Sequence, residues 1–385
     1  MRIAIVTNNF PAASETFISN KVLCFAAEGH QVIVFCSSFN MAAWTKLNSG
    51  NYNVAIELTT RKILIQYFIL HPALWFSSLV IGGDRAKKVL IKFFTGRVNK
   101  RAPDVIHFEF SGIGIHYMDA FKNIVGKKIV SCRGSAEKVK LLVLQERKEK
   151  IKELFSKVDA IHCVSDDMRQ TILPYCSNPS KIFINRPSID ETIFKRTLRY
   201  PSGGTIKILS VGRFTFQKGY LTGLLAIKKL KELFQNFVWI IVGDGTQKEE
   251  IIFHIHQMGL QKHVLLVGTK SRAEILDLYN TVAIFFLPSV YEGIANVALE
   301  AMSMQLPVVA TKSGGMEEVI THNHDGLLAD VYDSDALAGH LLALINNAEQ
   351  RETLGLHARE RIVQNFTITK QVDIFETEYK KLLTN

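Results

Sequence analysis

Cysteine is scarce in this chain. Five occur in 385 residues, Cys24, Cys36, Cys132, Cys163 and Cys176, and no two form a C-x-x-C pair. An odd, scattered set excludes a disulfide framework and speaks against zinc or thioredoxin-like chemistry, so the thiols are expected to be reduced and mostly buried in a cytosolic protein. A phosphate loop of the form G-x-x-x-x-G-K-[ST] is missing. Two G-x-G beginnings occur, Gly112-Ile-Gly114 and Gly243-Asp-Gly245, but Tyr117 and Lys248 stand where a dinucleotide fingerprint needs its third glycine. Asp333-Ser-Asp335 has the form of a metal-binding D-x-D. It runs straight into the helical pattern Ala336-Leu-Ala-Gly-His-Leu-Leu, however, and reads as a helix cap. No metal ligand set is assigned, and no export signal is expected, since the apolar run Ile3 to Val6 leads directly into Thr7, Asn8 and Asn9.

Acidic residues are outnumbered by basic ones in one half only. Charged residues make up 21% of the chain against 47% hydrophobic, which rules out a disordered polypeptide. The length exceeds what one core normally supports, so two domains are expected. The net charge of +10 belongs to the first 200 residues, which hold 29 Lys and Arg against 16 Asp and Glu; the remainder hold 17 against 20. A basic domain beside a near-neutral one suits anionic lipid, a diphosphate-bearing acceptor or nucleic acid. Nucleic acid is disfavoured because the bases are not clustered with exposed aromatic motifs.

One stretch, Ile63 to Gly83, carries no charge over 21 residues. It is long enough to span a bilayer, yet Gln66, His71 and Pro72 sit near its middle, where they would be costly in lipid. Two short helices broken at Pro72, an interfacial segment and a transmembrane helix all remain open. Its continuation mixes Lys87, Lys88, Lys92 and Arg97 with apolar residues, so peripheral contact with an anionic membrane is expected.

Short β-rich runs alternate with helical stretches from Arg2 to Val164, and again from Ile206 to Ala310 beyond the loop Leu198 to Thr205. This is an α/β chain with two doubly wound parallel sheets, an arrangement expected to place a ligand cleft between the carboxyl ends of the sheets. Three motifs of the second domain fall just after strands. Arg213 and Lys218 follow the first, a fork and a point charge suited to a diphosphate. Glu292 and Glu300 flank a loop and a helix start near Asn296. On one continuous helix, eight steps would leave their side chains about 80° apart, so both can meet one ligand only if Glu292 lies in the loop. Ser313-Gly-Gly opens a third loop suited to anionic or hydroxyl groups.

The order and spacing of Gly212-Arg213…Lys218-Gly219, Val242-Gly-Asp-Gly, Val267-Gly268, Glu292 to Glu300 (E-x7-E), Ser313-Gly-Gly and Asp325-Gly-Leu-Leu resemble the retaining GT-B glycosyltransferases of family 4, across about residues 206 to 330. The first half is similar more loosely, through Phe10-Pro…Ser14-Glu-Thr-Phe and Asp104-Val-Ile-His107. The likeness is strongest to enzymes of bacterial exopolysaccharide and lipid-linked oligosaccharide assembly.

The resemblance implies a GT-B fold with an acceptor-binding Rossmann-like domain over 1–197, a sugar-nucleotide-binding one over 206–365, and a last helix, 366–385, crossing back onto the first. It implies a retaining hexosyltransferase that needs no metal or other cofactor. The donor would be a nucleoside-diphosphate sugar, and the acceptor a saccharide or polyprenyl-diphosphate-linked saccharide at the cytoplasmic face of the membrane. By matching motif, Arg213 and Lys218 would bind the diphosphate, Glu300 the ribose and Glu292 the donor sugar. The backbone of Gly293, Ile294, Ala295 and Asn296 would lie along sugar and phosphates, with Thr269 near the base. The chain departs at Arg133, where many relatives carry a histidine associated with the reaction centre. Arginine keeps its proton near neutral pH, so it can bind sugar or phosphate but cannot act as a base. A sugar-nucleotide-binding accessory subunit and a GT-B sugar-nucleotide epimerase are the alternative readings.

Overall fold

The opening Ile-Ala-Ile-Val run lies in a strand, β1 (Arg2–Phe10), whose apolar residues are buried on both faces, as an uninterrupted hydrophobic run in a parallel sheet requires. The computed structural model describes residues 1–12, 15–59, 83–200 and 203–384, and two compact units account for them. The first holds Met1–Val164, Met168–Asn185 and Gln371–Asn385; the second holds Ser165–Asp167 and Arg186–Lys370.

In the first unit β1 is joined by β2 (Gln31–Phe39), β3 (Val54–Leu58), β4 (Val105–Phe108), β5 (Lys127–Cys132), β6 (Ala160–Cys163) and β7 (Ile182–Ile184), all parallel, in the order β3-β2-β1-β4-β5-β6-β7. The second unit repeats the scheme with β8 (Ile206–Val211), β9 (Phe237–Val242), β10 (Val264–Leu266), β11 (Ile284–Leu287), β12 (Val308–Thr311) and β13 (Leu327–Ala329), ordered β10-β9-β8-β11-β12-β13. In each sheet the chain order reverses once, between β1 and β4 and between β8 and β11. Loops that leave the carboxyl ends of neighbouring strands part there, and that is where doubly wound sheets bind ligands. The interior strands coincide with the apolar runs of the sequence. The edge strands β3, β7 and β13 do not stand out in it, since they are three to five residues long and β3 and β7 are largely half-buried.

Among the described residues no helix is long and apolar enough to cross a membrane. Residues 63–82 of the uncharged stretch lie outside the described residues. The five cysteines are free thiols. Asp333 caps the helix Ser334–Asn346, its side chain accepting from Ala336 N at 2.9 Å.

The last helix, Ile368–Thr384, packs on the first sheet through a buried polar chain. His162 Nε2 lies 2.7 Å from the carbonyl oxygen of Asn185, which can only accept, so that nitrogen carries the proton. The remaining protons then follow in order. Ser131 donates to His162 Nδ1 at 2.8 Å, His107 Nε2 donates to Ser131 Oγ at 2.7 Å, and Tyr379 of the helix donates to His107 Nδ1. Asn185 Nδ2 closes the arrangement on the carbonyl of Gln371 at 2.8 Å. Both imidazoles are fully buried, and burial, aided by nearby Arg133 and Lys21, holds each well below the usual histidine range. Each is thereby kept neutral, with one acceptor nitrogen, which is the condition for the proton order above.

Candidate functional site

In the second unit, the segment leaving β11 is tied to its neighbours on both sides. Val290 N donates to the carbonyl of Gln217 in the loop after β8 at 2.8 Å, and Gly315 N donates to that of Gly293 at 2.9 Å. Two glycines make this approach possible. Gly219 has φ +60° and a Cβ there would lie 2.0 Å from the Pro288 oxygen; Gly314 has φ +62° and its Cβ would lie 1.9 Å from the Glu292 oxygen. Any side chain at either position would force the loops apart.

Glu292 lies in this loop ahead of the helix Asn296–Ser303, as convergence on one ligand demands. Its carboxylate is buried and receives Lys218 Nζ at 2.7 Å, Ser289 Oγ at 2.8 Å and Gln217 Nε2 at 3.2 Å. Lys218 is therefore an ion-paired cation with donors left over, whereas Arg213 stands exposed at the same strand end. Glu300, on that helix, is half-buried and accepts from the Tyr279 hydroxyl at 3.1 Å. Burial pushes its carboxyl up to about 7, against the opposing effects of Tyr279 and Arg272. The two glutamates thus have separate partners.

Ile294 and Ala295 turn their side chains into the core, so at those two positions only the backbone can meet a ligand. Ala295 begins the helix without a side-chain cap, which leaves the first-turn N–H groups of Asn296 and its neighbours free of that competitor. Thr269 is exposed in the loop beyond β10.

Arg133 belongs to the first unit, after β5. Its Nη2 donates to Glu109 Oε2 at 2.7 Å and its Nε to the Glu109 carbonyl at 3.1 Å, while the guanidinium lies 4.5 Å from the centre of the Phe17 ring. Glu109 is completely buried and also receives Lys21. Gln217, Ser289, Tyr279, Lys21 and Glu109 escape the motif reading. Lys21 alone leaves a sequence signal, a lysine among the apolar positions Ile18, Val22 and Phe25 of one helix face.

A second feature of the first unit is a cavity of about 890 Å³ lined by Lys87, Lys88, Lys92, Lys122 and Lys157 over Ile91, Met118 and Phe121. Arg97 is not part of it. With Arg101 it is bound to the buried carboxylate of Glu57.

Residues 195–361 match the family described as Glycosyl transferases group 1. Over 95% of this chain and 96% of the relative, the sequence is 29% identical to the amylovoran biosynthesis glycosyltransferase AmsK of Erwinia amylovora. Among solved structures, Anabaena Alr3699/HepE in complex with UDP and glucose superposes with a TM-score of 0.80 at 16% identity, covering 99% of this chain and 100% of that one. Sucrose-phosphate synthase of Thermosynechococcus elongatus superposes with a TM-score of 0.79 at 17% identity, over 100% and 99%. Two parallel-sheet Rossmann-like units with such neighbours are the GT-B fold, and on it this chain carries a glycosyl transferases group 1 domain.

Proposed function

We propose that the chain is a retaining, metal-independent glycosyltransferase of family 4. It moves a hexosyl group from a nucleoside-diphosphate sugar to a saccharide or polyprenyl-diphosphate-linked acceptor in surface polysaccharide assembly. The observation that carries this reading is the Glu292 loop, a buried carboxylate paired with Lys218 beside exposed Arg213 and an uncapped helix start. Departure of a nucleoside diphosphate requires that growing negative charge meet fixed cations and N–H dipoles, each supplying about 2–4 kcal/mol. Arg213 and Lys218 would take the diphosphate, Glu292 the donor sugar, Glu300 the ribose and Arg133 the sugar or leaving phosphate. The name of AmsK supports a polysaccharide product, and the complexes of HepE with UDP-glucose support a nucleotide sugar.

The test is a thermal-shift panel of nucleoside diphosphates and sugar nucleotides, followed by transfer assays in excess EDTA with the product anomer read by NMR. A ligand at 100 times its Kd adds about 2.7 kcal/mol of stability. Transfer is expected to persist under chelation with the donor's anomeric configuration kept. Loss of transfer that manganese or magnesium restores would overturn the metal-independent reading, and binding without transfer or hydrolysis would favour an accessory subunit.

The reading includes peripheral attachment at the cytoplasmic face of the membrane through the lysine-lined cavity. Lys87 is paired with Asp119 at 3.2 Å, and the neighbouring lysines extend the basic surface. Each base near an anionic surface contributes about 1 kcal/mol, and salt screens it with a Debye length near 8 Å. The protein is expected to co-sediment with phosphatidylserine vesicles at low salt and to be released as salt rises. Indifference to such vesicles at low salt would remove the membrane from the proposal.

A further inference from the structure

Three formal charges are enclosed together in the first unit. Lys21 is 1% exposed and Glu109 is wholly buried, and Arg133 joins them at the edge with a side chain 10% exposed. Burial pushes the Lys21 ammonium down to about 8, while Glu109 stays below the usual carboxylate range because the pull of Lys21 and Arg133 outweighs its own burial. Lys21 and Glu109 form an ion pair, and Arg133 adds the permanent charge of a guanidinium. Such a triad is a poor source of stability, since desolvating each ion costs several kcal/mol and a well-packed apolar replacement is often neutral or better.

The geometry shows what the third charge does. Lys21 holds Oε1 of Glu109, which leaves only Oε2 for Arg133. A carboxylate free of that lysine could turn to meet the guanidinium with both oxygens, the bidentate contact that arginine favours. As it stands, one Nη2 proton and the Nε proton bond to Glu109, and three of the five guanidinium N–H groups remain to donate elsewhere. The Phe17 ring fixes the guanidinium plane, and Glu137 accepts from the Arg133 backbone N at 3.2 Å. Lys21 is itself held, its Nζ lying 4.7 Å from the centre of the Phe375 ring on the last helix. Glu15, half-buried at the start of the helix that carries Lys21, is close enough for Arg133 to lower its carboxyl pKa, against the stronger upward effects of burial and Glu109. A guanidinium released from its present contact has this second carboxylate within its electrostatic reach.

We propose that Lys21 is a positioning residue that restricts Glu109 to a single side-chain contact with Arg133, so that Arg133 keeps a fixed set of N–H donors for an anionic or hydroxyl-bearing part of the substrate. This rests on the reading that Arg133 touches substrate. Lys21→Met is expected to lower kcat about 30-fold in the full-length chain, on the scale of a displaced donor. The assay uses UDP-glucose, UDP-galactose or GDP-mannose, whichever the wild type turns over, and the KM for that donor should change less than threefold. Lys21→Arg should recover most of the loss. In an Arg133→Ala background Lys21→Met should cost nothing further, because the lysine acts only through Arg133.

Wild-type kcat in folded Lys21→Met, or losses from Lys21→Met and Arg133→Ala that multiply, would overturn the proposal. If Lys21→Met does not fold, Glu109→Gln takes its place in the same cycle. A second measurement does not depend on turnover. With ¹⁵N-arginine labelling, the Nε–H signal of Arg133 should shift, and its exchange rate with water change at least threefold in either direction, between wild type and variant, because the guanidinium is re-bonded; an unchanged signal and rate overturn the proposal. A wild type that turns over none of the three donors while this exchange contrast persists would count against the glycosyltransferase reading and leave the positioning role standing.

Discussion

Arg213→Ala is expected to lower turnover by roughly 10² without lowering the melting temperature, whereas Lys218→Ala is expected to lose both activity and stability. The motif treats the two cations alike, but their surroundings differ. Arg213 is exposed, and removing it would delete the donor proposed for the diphosphate while leaving no buried partner behind. Lys218 has a side chain 15% exposed and is paired with Glu292, whose side chain is 6% exposed. Truncating it leaves a desolvated carboxylate with only Ser289 and Gln217 as partners. We expect a cost of about 2 kcal/mol, which for a unit of this size lowers Tm by about 4–8 °C. Kinetics and calorimetry on the two variants check this directly. Wild-type kcat/KM in folded Arg213→Ala would sink the diphosphate assignment. Equal melting temperatures for the two variants would show that Glu292 does not depend on Lys218.

Acid should destabilise the first unit through its two buried imidazoles. His107 and His162 have folded pKa values well below the ordinary value near 6.5, so below that pH the unfolded chain binds protons that the folded chain refuses. The stability they contribute is complete above about pH 6.5. It declines as pH falls below that value, by about 1.4 kcal/mol per pH unit for each histidine, until the folded pKa is reached. Glu137 and Glu15 of the same unit, whose carboxyls burial raises, act in the opposite direction, so the useful quantity is a difference between proteins. Between pH 5 and 6.3, the slope of unfolding free energy against pH in His107→Gln should be smaller than in the wild type by about 1.1 kcal/mol per unit. Urea unfolding at several pH values measures it, and equal slopes would mean that His107 takes up a proton in the folded state.

The sequence by itself determined the α/β class, the interior strands and the loop position of Glu292. Strand periodicity, turn residues and motif spacing are local properties, and parallel strands buried on both faces need uninterrupted apolar runs that can be read directly. Edge strands such as β7 were not legible, because three half-buried residues carry no pattern distinguishable from a loop. Tertiary structure decided the pairings. That Lys218 meets Glu292 across 74 residues, that Arg133 reaches Glu109 across 24, and that Tyr379 closes a proton-ordered chain 272 residues from His107 are consequences of sheet order and helix return. The same holds for the charges. A lysine and a glutamate are ordinary surface residues until packing removes their water, and the sequence marks Lys21 only by its place among apolar neighbours. Whether a charged side chain is solvated, paired or aimed at a substrate depends on distances between segments that chain spacing does not encode, and folding alone sets those distances.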